Sequence, residues 1–284
     1  MKLPLYWVDA FTDQLFHGNP AAVVPLAQWL PDETMQRIAF ENGLAETAFF
    51  VAAKTAGAPG TASPTAEAPA PGSARYHLRW FTPAVEVDLC GHATLATAFT
   101  LFTQLGLAHD VVTFESRSGP LVVTRQAGGR LELDFPATPV RPVGDATTAQ
   151  HVADALGRPP VWLGESKHDL FAVLPDEATV RAVQPDLAKV AAAGRRGLIV
   201  TAAASTGGDF VSRFFAPQSG IAEDPVTGSA HCSLAPYWAG RLGRNRLHGR
   251  QVSARGGDLF CELRGERVGI AGHAVLYLRG EIDA

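Results

Sequence analysis

Three cysteines in 284 residues, Cys90, Cys232 and Cys261, are too few and too irregularly spaced to form a framework of their own. An odd number without CxxC spacing argues against a disulfide scaffold and against a zinc site, so no metal is expected. Charge is scarce as well: 18% of residues are Asp, Glu, Lys or Arg, with a balance of −4. No basic cluster supplies the electrostatic footprint of a nucleic-acid binder. No apolar run approaches the roughly 20 residues of a membrane-spanning helix. Met1-Lys2-Leu3-Pro4 leads into the strand-like Leu5-Tyr6-Trp7-Val8 instead of a secretory signal, which makes the cytoplasm the expected compartment. A GxGxxG fingerprint in a βαβ setting is missing too.

What is present is an ordinary core, 46% hydrophobic, in a chain long enough for two domains. Two stretches read like copies of one unit. Arg79-Trp80-Phe81-Thr82-Pro83 is followed by Asp88 and Gly91-His92-Ala93; Arg213-Phe214-Phe215-Ala216-Pro217 is followed by Asp224 and Gly228-Ser229-Ala230. The arginine-to-glycine gap is 12 residues in one copy and 15 in the other. Each copy predicts a strand ending at Phe-x-Pro, a loop with a carboxylate, and a helix opening on glycine and a small or polar residue. Free backbone N–H groups at such a start attract anions, so a carboxylated small molecule suits the pair. The expected division is an N-terminal half over 1–126 and a C-terminal half over 127–284, with the active site in the cleft between them.

Along the first half, Leu5 to Phe11 and Ala21 to Leu26 read as strands, Pro31 to Gly43 as a helix, and Leu44 to Ala53 as a buried strand. Residues 52–74 are almost all Ala, Pro, Gly, Thr and Ser, which predicts a flexible hairpin extension without chemistry. Strands are expected near 111–115, 121–125 and 130–135, the last two joined across Gly128-Gly129. The second half adds helices near 149–156 and 178–192, strands near 198–201 and 210–215, the second glycine-led helix, and a closing strand at 275–279. Many short strands around one alanine-rich helix per half predict an α+β fold in which a curled sheet wraps a central helix.

Glu46 stands out in Leu44-Ala45-Glu46-Thr47-Ala48-Phe49-Phe50-Val51, a run otherwise mainly apolar. A buried lone carboxylate is costly and inclined to take a proton, which suits acid–base work. The plain alternative puts Glu46 at a strand end, reaching water or an arginine. For Asp88 the plain reading is a helix cap. Asp224 sits in Glu223-Asp224-Pro225-Val226-Thr227-Gly228-Ser229, where hydroxyls, backbone donors and a carboxylate converge. His92, directly after Gly91, is placed to donate to a substrate oxygen or to carry a proton, or else is satisfied by backbone. Cys90 lacks a symmetric thiol partner, since Thr227 precedes the second glycine, and all three cysteines read as packing residues.

Asp9-Ala10-Phe11, Gly18-Asn19-Pro20-Ala21-Ala22-Val23, Glu46-Thr47-Ala48-Phe49, Phe81-Thr82-Pro83, Cys90-Gly91-His92-Ala93-Thr94 and the 223–230 segment together resemble the PhzF family of phenazine-biosynthesis-like isomerases. The resemblance implies the diaminopimelate-epimerase-like fold of two similar halves, cofactor-free proton transfer on a small molecule, and a homodimer. It places Glu46 at the position of the proton-carrying glutamate, His92 and Asp224 among the supporting acid–base groups, and Asn19, Gly91, Gly228 and Ser229 against substrate. One carboxylate suffices for a 1,3-proton shift, whereas inversion at one carbon needs two bases on opposite faces. The alternatives are a two-base amino-acid epimerase or racemase, using Glu46 with Asp224 or Cys90, and a non-catalytic small-molecule-binding protein.

Overall fold

The computed structural model describes residues 1–53 and 74–284. Of the segment expected to be a flexible extension, only Ala52, Ala53 and Ala74 lie within the described residues. In chain order come β1 (Lys2–Ala10), β2 (Asn19–Leu26), α1 (Asp32–Asn42), β3 (Glu46–Ala52), β4 (Ala74–Phe81), β5 (Glu86–Val87) and α2 (Gly91–Phe99). They are followed by β6 (Val111–Ser116), β7 (Gly119–Arg125), β8 (Leu131–Pro136), β9 (Arg141–Pro142), α3 (Ala146–Leu156), β10 (Trp162–Glu165) and β11 (Asp169–Val173). Next are α4 (Glu177–Ala182), α5 (Leu187–Ala192), β12 (Gly197–Ala203), β13 (Phe210–Ala216), β14 (Ile221–Asp224) and α6 (Gly228–Leu242). The chain closes with β15 (Arg246–Gln251), β16 (Gly257–Arg264), β17 (Arg267–Gly272) and β18 (Ala274–Asp283).

Two compact units result. One comprises Met1–Phe16, Pro20–Asp134 and Gly272–Ala284; the other comprises His17–Asn19 and Phe135–Ala271. The expected halves of 1–126 and 127–284 are corrected at both ends. The boundary falls at 134, and the last strand returns to the first unit. There β18 pairs antiparallel with β1 from Lys2↔Asp283 to Ala10↔Ala274. Backbone pairing of two chain ends leaves no local sequence pattern, so a linear division misses it.

The units repeat the same ladder of pairings. In the first, β2 runs parallel to β3, β3 antiparallel to β4, β4 antiparallel to β5 and parallel to β6, and β6, β7 and β8 form a meander. In the second, β11, β12, β13, β14, β15, β16 and β17 do the same in the same order. Each parallel pair is bridged by helix, so βαβ crossovers are part of the fold although the sequence pattern did not show alternation. Strands covered on both faces carry near-continuous apolar runs. Accordingly Glu46–Val51 of β3 and all of β13 are buried.

The central helix of the first unit, α2, consists mostly of small side chains. In α2 the stretch His92–Ala98 is buried throughout, so the helix presents no solvent face. Its threonines stay satisfied by donating to the preceding turn: Thr97 to Ala93 O at 2.7 Å and Thr100 to Ala96 O at 2.9 Å. The expected helix over 178–192 is two helices, α4 and α5. Pro185 disfavours helical geometry at Gln184, and Asp186 restarts the chain by accepting from the N–H groups of Ala188 and Lys189. The expected helix at Pro31 to Gly43 is α1, ended by Gly43 in the left-handed region at φ 62°. No helix among the described residues is long and apolar enough to cross a membrane.

The repeated arginines explain the repeated motif. Arg79 forks onto Glu86 at 2.7 and 2.8 Å and reaches Asp32 at the start of α1. Arg213 forks onto Glu223 at 2.7 and 2.8 Å and donates to the carbonyls of Val180 and Val183 at the C-terminal end of α4. The corresponding acids are therefore Glu86 and Glu223, each five residues before its helix glycine, rather than Asp88 and Asp224. The extra length of the second copy lies between arginine and glutamate, where Pro217–Ser219 make a 3-10 turn. Arg213→Ala leaves Glu223 and two buried carbonyls without their cation. It should destabilise the protein by about 3–5 kcal/mol, read as a lowered urea-unfolding midpoint.

Candidate active site

In the first unit the end of one loop and the start of one helix bring three polar residues together. Glu46 opens β3 opposite Ala21 of β2 and is 8% exposed. Cys90 stands at the N-cap of α2 in extended conformation without capping the helix, and His92 follows one residue after Gly91. His92 Nε2 lies 3.1 Å from Glu46 Oε2, and Cys90 Sγ lies 3.5 Å from His92 Nδ1. His92 is thus the close polar neighbour of the buried Glu46 Oε2. Burial works against a charged His92, but its interactions with Cys90 and Glu46 outweigh it and hold the imidazole well above its ordinary 6.5. Burial first, and the charge of Glu46 second, push the Cys90 thiol up to about 11. A carboxyl group, an imidazole and the N–H groups of a helix start are thus collected in one small volume.

In the second unit the loop before α6 is tied down from several sides. Asp224 accepts from Asn19 Nδ2 at 2.7 Å on one oxygen and from the Thr227 hydroxyl on the other. Asn19 also donates to Val226 O at 2.8 Å. Gln251 donates to Asp224 O at 2.7 Å and accepts from Thr227 N at 2.9 Å. Ser229, second residue of α6, accepts from Arg196 Nη2 at 3.3 Å, while Arg196 forks onto buried Asp169. The structure therefore brings Glu46 and His92 together, and separately Asn19 and Asp224. Gly91 and Gly228 occupy equivalent first positions of α2 and α6. Asp88 is exposed, 3.8 Å from Arg117, and caps no helix.

Sequence reasoning missed Cys90 as a neighbour of His92, and it missed Arg196 and Gln251. Arg195-Arg196 ahead of an apolar strand was an available signal; Gln251 stands in no pattern. Cys232 and Cys261 do behave as packing residues, buried with thiols pushed up by desolvation.

Superimposing the repeats by register shows what each copy kept. Thr47 faces Phe81, and Leu198 faces Phe215. Glu46 thus corresponds to Gly197, Cys90 to Thr227 and His92 to Ser229. At Gly197 a Cβ would stand 2.6 Å from the Phe214 ring and 2.7 Å from Phe215 O, so no side chain fits where the first unit holds its carboxylate.

His231, one turn into α6, is fully buried with Nδ1 2.9 Å from Thr227 O, and desolvation lowers it to about 4. The folded value lies below the ordinary 6.5. The stability due to neutral His231 is therefore complete above about pH 6.5 and is lost as pH falls towards 4. Thermal melting across this range should show a steeper acid-side loss for the unmutated protein than for His231→Gln.

The geometry has close parallels. The family model for phenazine biosynthesis-like proteins, PhzC-PhzF, matches residues 8–280. An uncharacterized isomerase of Pseudomonas aeruginosa is 49% identical over 282 residues, covering 99% of each chain. The crystal structure of a PhzF-family phenazine biosynthesis protein from Enterococcus faecalis is 44% identical, with a TM-score of 0.88 over 100% of both chains. At 10% identity and a TM-score of 0.59, a hydroxyproline epimerase from Agrobacterium vitis shares the fold alone, covering 99% of this chain and 92% of its own. With its two matching α+β units of the epimerase-like type and a motif set that runs nearly its full length, the chain belongs to the PhzC-PhzF family of phenazine biosynthesis-like proteins.

Proposed function

We propose that this protein is a cofactor-independent isomerase that moves a proton between two carbons of a small, carboxylated or cyclic metabolite, with Glu46 as the acid–base group. The observation that carries the reading is the asymmetry of the repeat. One unit buries a carboxylate against His92, and the other has Gly197, with no room for a side chain, at the corresponding place. Glu46 takes the proton as the C–H bond breaks, and the electron pair shifts into the adjacent unsaturated system. The same carboxyl group then gives a proton to the distal carbon as the new C–H bond forms. His92 and the N–H groups opening α2 meet the negative charge that develops meanwhile. Asn19, Asp224, Gly228 and Ser229 are assigned to holding substrate polar groups, Asp224 through the loop it fixes.

A two-base epimerase is less well supported. Both oxygens of Asp224 already accept hydrogen bonds, and the thiol of Cys90 is held high by burial. A non-catalytic binding protein would gain nothing from burying a carboxyl group against an imidazole. The names of relatives agree with isomerase chemistry.

The test is a cell metabolite extract incubated in heavy water with the purified protein or with Glu46→Gln, followed by chromatography and mass spectrometry. The expected outcome is a compound that changes retention at constant composition, with or without one deuterium, at least about 100-fold faster with the unmutated protein. Its product is a constitutional isomer. Equal conversion by both proteins would remove Glu46 from the chemistry; a product that is the mirror-related stereoisomer would favour the epimerase.

A further inference from the structure

The cluster of Glu46, Cys90 and His92 has a property that proton transfer does not call on. It offers one oxygen, one sulfur and one nitrogen ligand, all within 4.8 Å of one another, and is the one such group of three or more among the described residues. His92 Nδ1 is 3.5 Å and Nε2 4.0 Å from Cys90 Sγ, and Nε2 is 3.1 Å from Glu46 Oε2. In a tetrahedral zinc site with bonds near 2.0–2.3 Å, neighbouring ligand atoms stand about 3.3–3.7 Å apart. One ion takes one imidazole nitrogen: Nε2 already stands beside Glu46 Oε2, and Cys90 Sγ, 4.0 Å from it, closes to that spacing by turning its side chain.

We propose that Glu46, Cys90 and His92 bind a thiophilic divalent cation, with Zn2+ the natural occupant, and that the bound ion inhibits the enzyme. A mixed S, N, O donor set selects zinc and its soft neighbours and disfavours Mg2+ and Ca2+, which take oxygen ligands. Charge fits as well. Binding releases the protons of the Cys90 thiol and the His92 imidazole to solvent; the resulting thiolate and carboxylate with a neutral imidazole balance the ion, so its burial leaves no net charge in a low-dielectric place. Exposures of 8%, 7% and 6% for Glu46, Cys90 and His92 leave the cluster covered without sealing it. Three protein ligands leave a fourth position for water. Binding stands on this geometry alone; inhibition rests in addition on the reading of Glu46 as proton carrier, because the metal takes the same carboxylate.

The test titrates Cd2+, and then Zn2+ in competition, into the purified full-length protein after treatment with a chelator. One equivalent of Cd2+ should produce the ultraviolet charge-transfer absorption of a cadmium thiolate, and Zn2+ should displace it. Cys90→Ser should lose the absorption while keeping its far-ultraviolet circular dichroism. Glu46→Gln and His92→Gln should keep the absorption with affinity reduced at least about tenfold, the lower end of what loss of even an outer-shell partner costs. Absence of the band in the unmutated protein overturns the proposal. So does a band that survives in Cys90→Ser, which would belong to Cys232 or Cys261. Should Cys90→Ser fail to fold, unchanged affinity in Glu46→Gln overturns it equally. None of these results bears on whether metabolites are converted, so the two readings fail separately.

Discussion

A part-buried arginine–glutamate fork precedes the central helix of each unit and sets where that helix begins. Arg79 on β4 and Arg213 on β13 each hold a glutamate of the following short strand with two hydrogen bonds. From that glutamate the chain has five residues to reach the first helical glycine. A bidentate guanidinium–carboxylate pair fixes direction as well as distance, which a single contact does not. In both units the helix start is consequently set against the first residues of a neighbouring strand. That neighbour is Glu46 for α2, in contact with His92, and Arg196 for α6, in contact with Ser229.

Two copies of one scaffold have kept the clamp and exchanged the chemistry. The first unit pairs acid, thiol and imidazole; the second presents hydroxyls, a bound guanidinium and a heavily hydrogen-bonded aspartate. Gly197 shows that the difference is built into packing, because the aromatic ring of Phe214 occupies the space a side chain would need. Burying Glu46 has an energetic cost that a structural role would not justify, and the positive charge favoured on His92 offsets part of it. The arrangement suits a base that must be both dry and held in place. Family membership sets the fold and this pattern of residues, while the identity of the metabolite depends on the contacts around the pattern.

Much of this was legible in the order of residues. The strand containing Glu46, the helix ended by Gly43, the glycine-led helices and the repeat all rest on local signals: apolar runs, a left-handed stop and a short motif recurring in order. Local signals were misleading where Pro185 divides α4 from α5. They also paired Asp88 with Asp224, since a carboxylate near a helix glycine looks the same whether or not an arginine holds it.

By itself the sequence determined the α+β composition, the two-copy organisation, and Glu46, His92 and Asp224 as residues worth testing, because each stands in a short pattern with its own physical meaning; Asn19 came from the family resemblance. Only the tertiary structure decided that β18 completes the first unit and that Glu86 and Glu223 are the equivalent acids. It alone showed that Gly197 excludes a second carboxylate and that Cys90 joins Glu46 and His92. Those facts depend on strand register and on side chains far apart in the chain meeting at hydrogen-bond distance. Glu46 and Cys90 are separated by a whole hairpin, and no spacing along the chain encodes where a sheet will bring them.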